Sequence, residues 1–265
     1  MRRRTQLILL LAVLFLGLSV SARAQDEEPD IDFFYPLVMR RPVIERELEF
    51  RLLHEKGRAG RETDVAGAVE LPILPRWQVE LTVPIIFTGP REGAAQGGVG
   101  DLELENKVQL LKSIEHRTLV AVGFELRMPS GSERRGLGGE AGVEPFLAAG
   151  IALGAFDLLG EVAYGWNINA HVHGQHRQEL RTGLALGYRA TWWFTPLLEL
   201  TTANRIQGPE SEDPARLRDR TQVYLTPGVN FRPLPGVTAR VGIELPVTDA
   251  RAFDSTLHAA LVWEF

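Results

Sequence analysis

The sequence predicts an all-β fold: an up-and-down antiparallel transmembrane β-barrel of about twelve strands, preceded by a cleaved export signal. Three observations carry this. Apolar and polar residues alternate with period two in segment after segment, the signature of a strand with two unlike faces. The links between segments alternate between short and long. The chain ends on an alternating aromatic segment that closes with Trp263 and Phe265.

Composition sets the limits. The chain has 265 residues, a formal charge of −5, 45% hydrophobic residues and no Cys. It is too apolar for a disordered chain. Without Cys there is no disulfide scaffold, thiolate metal site or Cys nucleophile. The acidic balance lacks the basic footprint of a nucleic-acid binder.

Residues 1–24 read as a signal peptide. Arg2, Arg3 and Arg4 are its positive start, Leu7 to Val20 its apolar run, and Ala22-Arg23-Ala24 its small-x-small cleavage site. The other reading, an uncleaved anchor, calls for a longer apolar run. Later in the chain the longest uncharged apolar stretch, Pro145 to Phe156, has twelve residues, where a spanning helix needs about 20. Residues 25–42 pass from acidic (Asp26, Glu27, Glu28) through aromatic (Phe33, Phe34, Tyr35) to basic (Arg40, Arg41). They read as a disordered periplasmic tail or as a plug that enters the lumen. Residues 43–265 make the barrel.

Twelve segments are expected near 43–54, 63–71, 76–87, 101–112, 117–128, 143–153, 156–168, 179–190, 192–204, 221–231, 237–247 and 255–265. In the third, Trp77, Val79, Leu81, Val83 and Ile85 share one face, while Gln78, Glu80 and Thr82 share the other. In the last, Leu257, Ala259, Leu261, Trp263 and Phe265 are the apolar face, and Val262 is the exception on the opposite one. Links from odd to even segments are long and polar (55–62, 88–100, 129–142, 169–178, 205–220, 248–254), and those from even to odd are short. Outer-membrane barrels have this asymmetry, with short periplasmic turns and long outer loops.

Parity divides lipid from lumen. The expected lumen lining is Glu45, Glu47 and Glu49 on the first segment, Glu80 on the third, and Glu103, Glu105 and Lys107 on the fourth. Glu125 and Arg127 follow on the fifth, Glu161 on the seventh, Arg181 and Arg189 on the eighth, Glu199 on the ninth, and Arg240 and Glu244 on the eleventh. These acids either form a selectivity lining or are neutralised by the facing bases. Trp77, Trp166, Tyr188, Trp192, Phe231 and Trp263 fall near segment ends, where aromatic girdles form. Trp263 and Phe265 read as the terminal signal taken up by the barrel-assembly machinery. Pro84, Pro145, Pro196, Pro227 and Pro246 cannot donate to a ladder, so bulges or strand ends are expected there. Asn106 falls on the lipid face, which parity leaves unexplained.

Three stretches resemble a known family: Leu74 to Pro84, Gly98-Val99-Gly100-Asp101 with its following strand to Lys107, and Phe124 to Gly131 with Gly136-Leu137-Gly138-Gly139. They are similar to the outer-membrane transporter family named for the meta-pathway of phenol degradation. In that family a strand ending in Val-Pro precedes a Gly-x-Gly-Asp strand, then a Leu-Pro-Thr-Gly turn and a Gly-rich loop. Met128-Pro129-Ser130-Gly131 stands in for the turn here. The resemblance implies an outer-membrane barrel that moves small hydrophobic or aromatic solutes, and it transfers no catalytic residue. The same motifs also read as turn-forming architecture.

His171, His173 and His176 are the one histidine cluster, in an expected outer loop. They suit a borderline divalent ion or are simply an exposed polar loop. No cofactor is expected. No Gly-x-Ser-x-Gly or His-Glu-x-x-His motif occurs, and His258, though near Ser255 and Thr256, points inward by parity, so no enzyme is expected. The expected function is an outer-membrane channel or transporter for small solutes. The alternatives are a structural or surface-binding envelope barrel and, more remotely, a lipid-modifying enzyme. The expected partners are outer-membrane lipid, lipopolysaccharide (through an Arg-rich stretch such as Arg216 to Arg220), the assembly machinery and the solute, with no nucleic acid.

Overall fold

Period-two alternation becomes thirteen antiparallel strands in the computed structural model, which describes residues 31–91, 93–168, 178–207 and 221–265. They are β1 (Glu47–Lys56), β2 (Gly60–Leu74), β3 (Trp77–Pro90), β4 (Gln96–Val99), β5 (Leu102–Ser113), β6 (Thr118–Met128) and β7 (Gly142–Leu153). There follow β8 (Phe156–Asn167), β9 (Gln178–Tyr188), β10 (Phe194–Gln207), β11 (Thr221–Leu234), β12 (Val237–Pro246) and β13 (Ser255–Glu264). Each strand pairs with its neighbour in sequence, except that β5 passes over β4 to pair with β3, and β13 returns to pair with β1, so the sheet closes. β4 pairs only with β3, which leaves a ring of twelve among the described residues. Closure leaves no free edge, the condition for a sheet in lipid.

The twelve expected segments are the twelve ring strands, with three corrections. The link expected at 55–62 shrinks to 57–59, because β1 and β2 run on past it. Residues 96–99, expected as loop, form β4. β5 pairs with β3 only from Trp77 to Thr82, so the far end of β3 would be an open edge, and β4 covers it from Ile85 to Thr88. The first strand begins at Glu47 rather than 43, because residues 31–46 lie inside the barrel.

The prolines take a simpler solution than bulges. At Pro145 and Pro227 the ladder is interrupted on one side and resumes in the same register. Pro84 sits where β3 changes partner from β5 to β4, and its carbonyl accepts from Gly100 N at 3.0 Å. Pro196 precedes the first β9–β10 pair, and Pro246 ends β12. Each missing N–H therefore falls where no ladder bond is needed. Asn106 does stay on the outer face, where the Trp77 indole N–H donates to its Oδ1 at 3.3 Å.

The outer wall is apolar, with Phe50, Leu52, Phe87, Leu184 and Leu261 all exposed. Aromatics gather at the end with the short turns: Trp193 meets Phe231 edge-on at 5.5 Å, and Phe156 lies 5.0 Å from Tyr188. The interior has two zones. Near the turns Ile31, Phe33, Phe34, Met39 and Val43 pack against inward Leu119, Ala152, Leu159, Ala185 and Leu197 as an apolar core. Toward the loops the interior is charged.

Candidate functional site

The site is the lumen together with the segment inside it. The described part of residues 25–42, from Ile31 on, enters the barrel, climbs to Arg40 and descends to β1. Phe33, Phe34 and Tyr35 are almost fully buried. The segment has no sheet partner, so wall side chains satisfy its backbone. Asn230 brackets Tyr35: its Oδ1 accepts from Tyr35 N at 2.6 Å and its Nδ2 donates to Tyr35 O at 2.8 Å. The buried Glu199 carboxylate accepts from the N–H groups of Leu37, Val38 (3.1 Å) and Met39 (3.3 Å). Gln109 Nε2 donates to Pro42 O at 3.2 Å, and Glu45 N donates to Gln78 Oε1 at 2.7 Å. The Tyr35 hydroxyl lies 2.8 Å from Glu47 and 2.7 Å from Glu264, with the Arg41 guanidinium 3.3 Å over its ring.

Glycines in the wall make room for these side chains. A Cβ at Gly187 would strike the Phe34 ring, one at Gly150 would strike Phe33 and Leu159, and one at Gly183 would strike Met39. At Gly228 and Gly242 it would strike Leu37. All five sit at inward positions of β7, β9, β11 and β12. Glycine weakens a strand interior, and here it lets another chain segment approach closely.

At the tip, Arg40 reaches four carboxylates on four successive strands. Its guanidinium meets Glu105, Glu125 and Glu161 at 2.7 Å each and Glu144 at 3.0 Å, and its backbone N–H donates to Glu161 at 2.8 Å. Arg40 belongs to the inner segment, not to a spanning strand. Burial disfavours its charge, but Glu161, Glu105, Glu125 and Glu144 outweigh burial and hold its pKa above the ordinary guanidinium value.

Two cavities of about 250 Å³ flank the tip, and Val38, Met39, Arg40 and Arg181 line both. The first, bounded mainly by β1, β2, β3, β5 and β6, carries charges of both signs, among them Arg51, Glu80, Glu103 and Arg127. The second, bounded by β8 to β12, mixes Thr201, Thr202 and Gln222 with Met39, Tyr224 and Phe253. Its mouth is shaped by the last loop, which folds inward. Phe253 stacks on Tyr224 at 4.6 Å, and Ala252 N donates to the Tyr224 hydroxyl at 2.9 Å.

Another loop is fixed by Asp101. Its carboxylate accepts from Gly131 N (2.8 Å), Gly139 N (2.8 Å) and Glu140 N (2.9 Å), while Leu137 packs over Gly98. The Gly-x-Gly-Asp stretch and the Gly-rich loop are thus one unit at the barrel mouth. Replacing Asp101 with Ala is expected to lower the local opening free energy of loop 129–141 by about 2 kcal/mol. Amide exchange at Gly131 and Gly139 would read this, with the heat resistance of the barrel unchanged.

Most of the expected lining faces inward on its strand. Glu47, Glu49, Glu80, Glu103, Glu105, Lys107, Glu125, Arg127, Glu161, Arg181, Glu199, Arg240 and Glu244 do so. Glu45 is inside too, but on the inner segment, paired with Arg41. Arg189 lies beyond the end of β9, paired with Asp157 at 3.2 Å. Glu199 serves backbone amides rather than open lumen. Several acids meet bases: Glu103 meets Arg127 at 3.5 Å, Glu49 meets Arg240, and Glu244 lies 3.0 Å from His258 Nε2. The carboxylates of Glu47, Glu49 and Glu70 lie within 4.8 Å of one another. Arg41 (3.4 Å from Glu47), Lys107 (3.8 Å from Glu70) and Arg240 already serve them, a donor set that suits ion pairing better than a metal. Sequence reasoning missed Arg40, Arg41, Arg51, Glu70 and Glu144. His171, His173, His176 and the stretch Arg216 to Arg220 lie outside the described residues, as do residues 1–30.

No family model and no curated protein sequence matches the chain. Among solved structures it is similar to an outer-membrane channel from Pseudomonas putida F1 (TM-score 0.62, 13% identity, 91% of this chain and 100% of that one). It is also similar to the NanC porin (0.56, 12%, 82% and 98%) and the KdgM porin (0.55, 8%, 83% and 99%). The fold is that of porin-like outer-membrane β-barrels.

Proposed function

We propose that this chain is an outer-membrane channel for small solutes, in which the segment of residues 31–46 narrows the lumen and sets what passes. The observation that carries the reading is the pair of cavities on either side of the Arg40 tip, inside a closed barrel whose outer wall is apolar. The channels and porins of like fold support it. The resemblance to the phenol meta-pathway family adds hydrophobic or aromatic solutes, and the second cavity suits them. Met39, Tyr224 and Phe253 give it apolar surface, and Thr201, Thr202 and Gln222 give it hydrogen-bonding groups.

Single-channel recording of the mature full chain in a planar bilayer tests the reading. Ion current in discrete steps is expected, reduced when an aromatic carboxylate is added and reduced less in Tyr224→Ala. A folded, heat-resistant barrel that carries no current and takes up no solute in vesicles would favour the structural reading instead.

A further inference from the structure

The outer wall of β1 to β3 changes character in order toward the loops. Phe50, Leu52, Val65, Ile85 and Phe87 are exposed apolar side chains facing lipid. The next level toward the loops holds His54 and Thr63, hydrogen-bonded to each other at 2.8 Å, with Phe87 opposite Thr63. Above them Lys56 and Arg61 stand directly opposite in the β1–β2 register. Arg58 lies in the turn that follows β1, and Arg91 follows β3, tied to that turn by its N–H to Ala59 O at 3.0 Å. Lys56, Arg58, Arg61 and Arg91 are all exposed. Among the described residues none of them has an ion pair. Among the described residues near this height, Glu55 and Glu62 point inward on their strands, and Asp254 pairs with Arg251 at 2.9 Å.

Like charges placed directly across a strand pair repel, and among the described residues no ion pair offsets this one. An anion between them would. Cations that crown a lipid-facing apolar band stand at the height of headgroup phosphates, and Arg and Lys are the side chains that bind phosphate.

We propose that Lys56, Arg58, Arg61 and Arg91 form a binding site for the phosphate groups of a phosphorylated lipid of the outer leaflet. The proposal rests on the outer-membrane reading, which puts the loops outside.

Native mass spectrometry of the detergent-solubilised full chain tests it, with bisphosphorylated lipid A as probe. Wild type is expected to retain the lipid. The quadruple variant K56Q/R58Q/R61Q/R91Q should retain it at least about tenfold less, and the double variant K56Q/R61Q should fall between. Dephosphorylated lipid A should bind both forms equally weakly. Equal retention of the phosphorylated lipid by wild type and the quadruple variant, with heat resistance confirming that both are folded, would overturn the site. Displacement by inorganic phosphate at equal concentration would mean a free-anion site instead and would overturn the lipid assignment. The quadruple variant should conduct as wild type does. Lipid retention by a wild-type chain that carries no current would count against the channel reading and leave this site standing.

Discussion

Replacing Arg40 with Met is expected to raise single-channel conductance and current noise while the barrel keeps its heat resistance. Among the described residues Arg40 is the one cation shared by Glu105, Glu125, Glu144 and Glu161. Removing one partner from a buried ion network leaves uncompensated charge and costs about 3–5 kcal/mol. The twelve-strand ladder does not run through Arg40, so the loss falls on the tip of the inner segment. The tip then keeps its backbone bonds, from the residue 40 N–H to Glu161 and from Val38 and Met39 to Glu199, and the seats of Leu37 and Met39. Arg40→Lys should lie between, since an ammonium keeps the charge but cannot spread a planar fork across several carboxylates. Unchanged conductance in Arg40→Met would show that the tip does not bound the ion path.

Gly187→Val should act from the other end of the segment. A Cβ at Gly187 meets the Phe34 ring, and the backbone on both sides is held in the β8–β9–β10 ladder, so it is Phe34 that must move. Expelling a buried Phe from an apolar core costs about 3 kcal/mol. The expected result is faster proteolysis within residues 31–46 and larger current, with the barrel intact. Gly160→Val is the matched control. Gly160 faces outward on β8, and a Cβ there comes no closer than 3.6 Å to a neighbour. Equal effects at the two positions would mean that strand weakening, not loss of the seat, is being measured.

The strands were legible because lipid and lumen impose opposite demands on alternate residues, and parity is a local property of the chain. Most of the charged lining followed from the same rule. The inner segment was not legible from residues 25–42, whose mixture of acids, aromatics and bases fits a solvated tail as well as a buried strap. Its traces lie in the wall. Inward Leu119, Leu159, Leu197 and Val262 break the polar-inside pattern, and inward Gly150, Gly183, Gly187, Gly228 and Gly242 leave vacant volume on the same face. Read together they point to an apolar occupant of the lumen near the turns. Glu70 and Glu144 had inward parity but small or apolar inward neighbours: Ala66 and Ala68 precede the first, and Phe146 and Ala148 follow the second. β4 escaped because only the overhang of β3 beyond β5 creates the need for it.

The most direct test of the claim that residues 31–46 set the conductance is to record single channels from a chain that begins at residue 25 beside a variant also lacking residues 25–42. That deletion removes Phe33, Phe34, Tyr35, Met39, Arg40 and Arg41 and leaves every strand in place. The expected result is a larger, steadier current from the shortened chain, with both proteins equally resistant to heat and detergent. Equal currents from the two, with both folded, would contradict the account.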